Sequence, residues 1–183
     1  MFMPHNKNKL LLFFPDPAVG GVLKNFFIIS NYLASKFNDI TVITVNKKIK
    51  KKLNKKIKLI YPKNNSFVNS GIYTKYIVCI FLLFKTLLLN KKSVVLTFQG
   101  NWYAILIAKI FGVKILTRSN TSPYGWSKNS LKRILYKFVL SLSDEIIVNS
   151  SEFQNNIKKK FNLKSITIYN PLNKKEIEKL SRK

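Results

Sequence analysis

Apolar positions in this chain come in short blocks separated by polar breaks, and the blocks alternate between two periods. Leu10 to Phe14 is a continuous apolar run stopped by Pro15-Asp16-Pro17. It predicts a strand covered on both faces, the kind found in parallel sheets. From Val22 to Lys36 the period changes: Val22, Phe26, Ile29, Leu33 and Phe37 recur at helical spacing. Strands are predicted at Ile40 to Val45, Ile57 to Tyr61, Ser93 to Phe98, Val113 to Thr117, Glu145 to Val148 and Ser165 to Tyr169. Helices are predicted over Gly71 to Leu89, Trp102 to Phe111, Ser127 to Leu142 and Ser151 to Phe161. Gly112 stands where a helix ends in left-handed backbone. The helix from Ser127 to Leu142 gathers Leu131, Ile134, Leu135, Phe138, Val139 and Leu142 on one side. That side is expected to face the core, with a membrane-surface helix as the other reading.

Strands alternating with helices predict an α/β fold: a doubly wound, mostly parallel sheet with helices on both faces. Residues 1–173 read as one domain, and 174–183 as a charged, helix-prone tail or the start of a link to another domain. In such a sheet the carboxyl ends of the strands share one edge, where ligands bind. The first strand delivers Gly20 and Gly21, whose free backbone N–H groups at a helix amino end suit a phosphate; a plain tight turn is the alternative. The fourth delivers Gln99, Asn101 and Trp102, amides that match vicinal hydroxyls beside an indole that can stack on a sugar ring or pack under the sheet. The fifth delivers Arg118, Ser119, Asn120 and Ser122. The planar fork of Arg118 suits a carboxylate, phosphate or hydroxyl partner, or a structural ion pair. The sixth delivers Ser150, Ser151 and Glu152, better read as helix-capping residues than as ligand contacts. The seventh delivers Asn170.

Charge narrows the function classes. The formal net charge is +26, yet 30 of the 33 basic residues are lysine; arginine occurs only at 118, 133 and 182. Readers of nucleic acid favour arginine for bidentate contacts, so most of this charge reads as solvated surface, with an anionic membrane as a remaining partner and nucleic acid a poor one. The lysine run Lys47 to Lys56 is expected to be such a surface. The only histidine is His5, which leaves no histidine-based triad, and no Cys/His/Asp spacing suits a metal. Cys79 sits in an apolar run and is expected to be a buried, inert thiol. The apolar span Tyr76 to Leu89 is broken by Lys85 and falls short of the roughly 18 residues of a membrane crossing, so neither a span nor secretion is expected.

The ordered set of motifs resembles the amino-terminal domain of family-4 glycosyltransferases, the retaining type with a GT-B fold. The likeness runs through the strand Leu10 to Phe14, the loop ending in Gly20-Gly21, and the helix ending Ser30-Asn31-Tyr32-Leu33-Ala34. It continues with Ile40 to Val45, Val94 to Phe98, the Arg118 to Pro123 loop, Asp144 to Ser151 and Ile168 to Leu172. It departs after the double glycine, where Val22-Leu23 replaces the family's small residue and glutamate. The resemblance implies transfer of a sugar from a nucleotide-sugar to a glycan or lipid-linked acceptor, in cell-surface polysaccharide or glycolipid synthesis. No metal and no cofactor are expected; the nucleotide-sugar is a donor substrate, which the resemblance implies a second, donor-side domain would mainly bind. That domain, and its glutamate pair, lie outside these 183 residues, so the chain is expected to be incomplete alone or to need a separate partner chain. A cytoplasmic location, peripheral on the inner membrane face, is expected. Gly20, Gly21, Gln99, Asn101, Arg118, Asn120, Ser150 and Glu152 are the candidate substrate contacts; the other reading is a non-catalytic basic module.

Overall fold

The computed structural model describes residues 9–99, 101–120 and 130–172. Seven strands, β1 (Lys9–Phe13), β2 (Ile40–Ile43), β3 (Lys58–Ile60), β4 (Ser93–Thr97), β5 (Lys114–Ser119), β6 (Glu145–Val148) and β7 (Ile166–Thr167), form one sheet. Their order is β3-β2-β1-β4-β5-β6-β7 and every neighbouring pair is parallel. Among the described residues five α-helices lie in the connections: α1 (Gly21–Lys36), α2 (Ile72–Leu89), α3 (Asn101–Ile110), α4 (Ser130–Ser141) and α5 (Ser151–Phe161). This is the α/β, doubly wound fold that the alternation of periods predicts.

The unbroken apolar run of β1 is explained by its central place. Leu11 and Phe13 point into a core shared with α2, α3, α4 and α5, while Leu10, Leu12 and Phe14 point into a second core under α1. A strand between two helical layers has no solvent face, so it shows no polar alternation. Gly112 adopts φ 63°, the left-handed conformation expected after α3.

The start of the β5–β6 pair is clamped by Asp144. Its carboxylate accepts from Ile115 N at 2.7 Å and from Lys109 Nζ at 2.7 Å. Burial pushes this carboxyl up, but the Lys109 and Ile115 hydrogen bonds and the Lys109 charge outweigh burial and hold it below its ordinary value of 3.8. A depressed folded-state value gives stability that is present above the unfolded value and lost as pH falls through the folded one. Urea unfolding of the native protein and of Asp144→Asn is therefore expected to differ most near neutrality. The gap should narrow as the pH drops below about 4. A gap that stays constant with pH would show that the charge of Asp144 contributes nothing.

Four expectations need correction. The lysine run is not only solvated surface: Lys47–Lys52 is a 3₁₀ helix that buries Ile49, and Leu53 follows it into the α1-side core. The seventh strand pairs over two residues only: β6 ends at Val148, whose carbonyl takes the Ile168 N–H at 2.9 Å, and Tyr169 has no β6 residue left to pair with. The helix α2 reaches 18 residues, long and apolar enough to cross a membrane by length and composition, although Leu83 and Leu87 are wholly buried in the sheet core. Finally, α4 does not turn Leu131, Ile134, Leu135 and Phe138 inward; all four are exposed, and it docks through Val139 and Leu140. The helix carries two apolar stripes, and the sheet accepts the one that includes Tyr136, Val139 and Leu140, spaced i, i+3, i+4. Residues 121–129, with Ser122, and the tail 174–183 lie outside the described residues.

Candidate functional site

The strand order reverses direction between β1 and β4: after β1 the sheet grows towards β2 and β3, after β4 towards β5, β6 and β7. At such a switch point the connecting helices depart to opposite faces and leave a crevice at the carboxyl edge. A cavity of about 500 Å³ lies there. Residues from α1, α2, α3, α4 and the exits of β4 and β5 line it.

Its floor follows from core packing. Phe14 and Phe98, the first residues past β1 and β4, meet Phe26 of α1, with ring centroids 4.4 Å (Phe14 to Phe26) and 5.0 Å (Phe26 to Phe98) apart. All three are buried, and Phe98 also lines the cavity. One wall is aromatic. Trp102 stacks on Tyr103 at 5.6 Å and meets Tyr136 at 4.9 Å, and Tyr103 meets Tyr76 at 6.0 Å. Burial first, then the carboxylate of Asp16 and Tyr103, push the Tyr76 phenol up.

The polar residues at the strand exits are bonded to one another. Gln99 Oε1 accepts from Asp16 N at 3.0 Å, which ties the exit of β4 to that of β1. Asp16 is itself ion-paired with Lys75 at 2.8 Å, both side chains largely buried. Asn101 Oδ1 accepts from Thr97 Oγ1 at 2.7 Å and its Nδ2 donates to Arg118 O at 3.1 Å, so both ends of this amide hold β4 to β5. Asn120 Nδ2 donates to Phe98 O at 3.3 Å. Arg118 Nη2 donates to Ile168 O at 3.2 Å and to Asn170 Oδ1 at 3.0 Å. Its side chain lines the cavity, and its buried Nε has no hydrogen-bond partner among the described residues. Burial lowers the guanidinium pKa from its ordinary value. A buried cation gains from every hydrogen bond it makes, so the bonds from Nη2 hold this side chain in place.

Four of the eight candidate residues, Gln99, Asn101, Arg118 and Asn120, thus come together around one cavity. Gly20 instead borders a second groove with Leu23, Phe27 and Asn31, while Gly21 opens α1 and lines neither space. Gly20 has φ 153° and precedes a helix that no side chain caps among the described residues, so the first N–H groups of α1 lack a capping side chain there. Ser150 and Glu152 lie outside the cavity. Ser150 caps α5, its Oγ accepting from Phe153 N at 3.2 Å, and Glu152 is exposed in the first turn of that helix. Ser150→Ala is expected to cost about 1 kcal/mol in thermal or urea unfolding. A larger loss would assign Ser150 more than a cap.

Sequence reasoning missed Tyr76, Tyr103 and Tyr136. The adjacent Trp102-Tyr103 pair after β4 was the available signal for one of them. Tyr76 and Tyr136 arrive on α2 and α4, and no local spacing relates them to β4. None of the described residues lining the cavity is a carboxylate or a histidine, and no group of three or more His, Cys, Asp or Glu among the described residues is placed to hold a metal ion. Cys79, buried nearby, is pushed up to about 12 by burial and by Asp16, as an inert thiol is.

The fold has known relatives in structure. The chain superimposes on a glycosyltransferase from Rickettsia africae with a TM-score of 0.63 at 17% identity, covering 97% of this chain and 49% of that one. It matches HepE from Anabaena, solved in complex with UDP-glucose, with a TM-score of 0.63 at 13% identity, covering 95% and 49%. UGT2 from Phytolacca americana, solved with UDP-2-fluoro-glucose and pterostilbene, matches with a TM-score of 0.58 at 12% identity, covering 100% and 58%. The chain therefore spans about half the length of the solved structures it matches, and its fold is the Rossmann-like half of a GT-B arrangement. No protein-family model matches the sequence, and no curated protein matches it.

Proposed function

We propose that this chain is the acceptor-side half of a retaining, family-4-like glycosyltransferase. It would take part in transfer of a sugar from a nucleotide-sugar to a glycan or lipid-linked acceptor during synthesis of a cell-surface polysaccharide or glycolipid. The observation that carries this reading is the aromatic-walled cavity at the switch point of a GT-B half. Rings such as Trp102 stack on the apolar face of a pyranose, while Asn120 and Arg118 offer donors to its hydroxyls. The amino end of α1, after Gly20 and Gly21, lies on the same sheet edge and suits the donor phosphates. The donor would be held mainly by a second domain, in the same polypeptide or in a separate chain, on the cytoplasmic side of the membrane. The matched structures support this reading because HepE was solved with UDP-glucose and UGT2 with UDP-2-fluoro-glucose.

The first test is the intact mass of the protein isolated from its source cells. A mass about twice that of these 183 residues, the size of two such domains, supports a single two-domain enzyme. A mass matching these residues directs attention to copurifying chains that bind a nucleotide-sugar. The protein at its native length, with any such chain, is then incubated with UDP- and GDP-sugars and a glycolipid extract of the source cells. Transfer of labelled sugar is expected, and absence of both transfer and nucleotide-sugar binding overturns the reading.

A further inference from the structure

We propose that the outer side of the α2–α3–α4 layer is a docking face for an anionic lipid bilayer. The inference stands on the helices alone and does not rest on the sugar-transfer reading. Along α2, Tyr73, Ile77, Phe81, Phe84 and Leu88 are all exposed, opposite the side where Cys79, Leu83 and Leu87 meet the sheet. Along α3, Leu106 and Ile110 are exposed, opposite Ala104 and Ala108. Along α4, Leu131, Ile134, Leu135 and Phe138 follow i, i+3, i+4, i+7, and Leu131 is 77% exposed. These helices pack side by side, with Phe84 of α2 against Phe111 just past α3 at 5.1 Å, and Trp102 of α3 against Tyr136 of α4. Each stripe points away from the core, so the three lie on the outside of one layer. Single exposed apolar residues are ordinary; stripes on three adjacent helices mark a surface that is covered in use.

Charge identifies the occupant. The three helices hold six basic residues and no acidic one. Lys75 and Lys109 are neutralised by Asp16 and Asp144. Lys85, Arg133 and Lys137 are exposed beside the apolar stripes, and Lys85 lies over the Phe81 ring with its ammonium 5.0 Å from the centroid. A protein partner buries an apolar patch best where lysine is scarce. A bilayer interface takes apolar side chains and accepts cations at the level of its anionic headgroups, with lysine stems lying along the apolar surface. A nucleic acid satisfies the cations but offers no cover for Leu131, Ile134 or Phe138. Tyr76, Trp102 and Tyr136 belong to the same three helices, so docking on this side also brings the cavity close to lipid-borne molecules.

The experiment is flotation of the full chain with vesicles of phosphatidylcholine alone, or with about a third phosphatidylglycerol. The native chain is expected to float with the anionic vesicles and much less with the neutral ones. Ile134→Gln with Phe138→Gln should lower the partition coefficient by about tenfold or more at any salt concentration. Arg133→Glu with Lys137→Glu should lower it by about tenfold at low salt and by less at high salt. Lys55→Glu with Lys56→Glu, the same charge change beside the α1-side core residue Ile57, should alter it less than about threefold. All four substituted residues on α4 are exposed, so the fold is expected to survive, and unfolding curves check this. Equal loss in the Lys55/Lys56 variant would reduce the effect to net charge and overturn the assignment. So would flotation that ignores the α4 variants, or a concentration-dependent dimer that Ile134→Gln with Phe138→Gln abolishes in a chain that never floats.

Discussion

Phe26→Ala is expected to lower the unfolding free energy by about 4 kcal/mol, read from urea denaturation with an unchanged slope. Phe26 is fully buried and joins Phe14 at 4.4 Å and Phe98 at 5.0 Å in a three-ring cluster. Truncation removes the transfer energy of the ring and leaves a cavity where α1 meets the two central strands. Neighbours cannot collapse into it, because Phe14 and Phe98 continue strands held by hydrogen bonds on both sides: Phe14 N donates to Ile43 O and Phe98 N to Phe13 O. Phe26→Leu keeps most of the volume and should cost about 1.5 kcal/mol or less. The variant also tests how fold becomes site, since Phe98 is at once cluster and cavity lining. If Phe26→Ala costs as little as Phe26→Leu, the cluster does not organise the crevice.

Arg118→Ala is the second large effect, about 3 kcal/mol of stability. The buried guanidinium makes two charge-assisted bonds, to Ile168 O and Asn170 Oδ1, which tie the segment after β7 to the end of β5. β7 itself pairs over two residues only, and Ile168 N adds one further bond to Val148 O at 2.9 Å, so the two Arg118 bonds are the ones that hold the chain beyond it to β5. Bonds from a charged donor contribute about 1.5–3 kcal/mol each, and the desolvation of the cation offsets part of the sum. Arg118→Lys should recover less than half of the loss, since a single ammonium on a shorter reach cannot reproduce the fork. The same variants separate scaffold from ligand contact. A nucleotide-sugar or glycan that contacts the Arg118 side chain where it lines the cavity is expected to raise the melting temperature of the native chain and not that of Arg118→Lys. Equal ligand-induced shifts would make Arg118 purely structural.

The candidate residues divide by how far their role is local. Ser150 was legible as a cap because an N-cap is decided by its neighbours three residues on, and its Oγ does accept from Phe153 N. Gly112 was legible for the same reason: the end of a helix requires a residue that tolerates positive φ. Asn101 was singled out for sugar hydroxyls and does line the cavity, and each end of its amide also makes a bond within the fold, to Thr97 and to Arg118. A strand exit must satisfy its own backbone before it serves a ligand, and sequence spacing does not show which neighbouring strand it will lean on. Tyr76 and Tyr136 were invisible as wall residues because they reach the cavity from separate helices.

The sequence by itself determined the alternation of strands and helices, the parallel sheet and the edge on which polar residues collect. Those follow from hydrophobic period and turn chemistry, which act over a few residues. Tertiary structure decided the rest. It chose which apolar stripe of α4 faces the sheet, because two stripes compete for one contact and only packing settles the competition. It left Leu131, Ile134, Leu135 and Phe138 in the open beside Arg133 and Lys137, and it turned the polar exits towards one another around an aromatic cavity. Contacts between residues far apart in the chain fix these outcomes, and a one-dimensional pattern does not contain them.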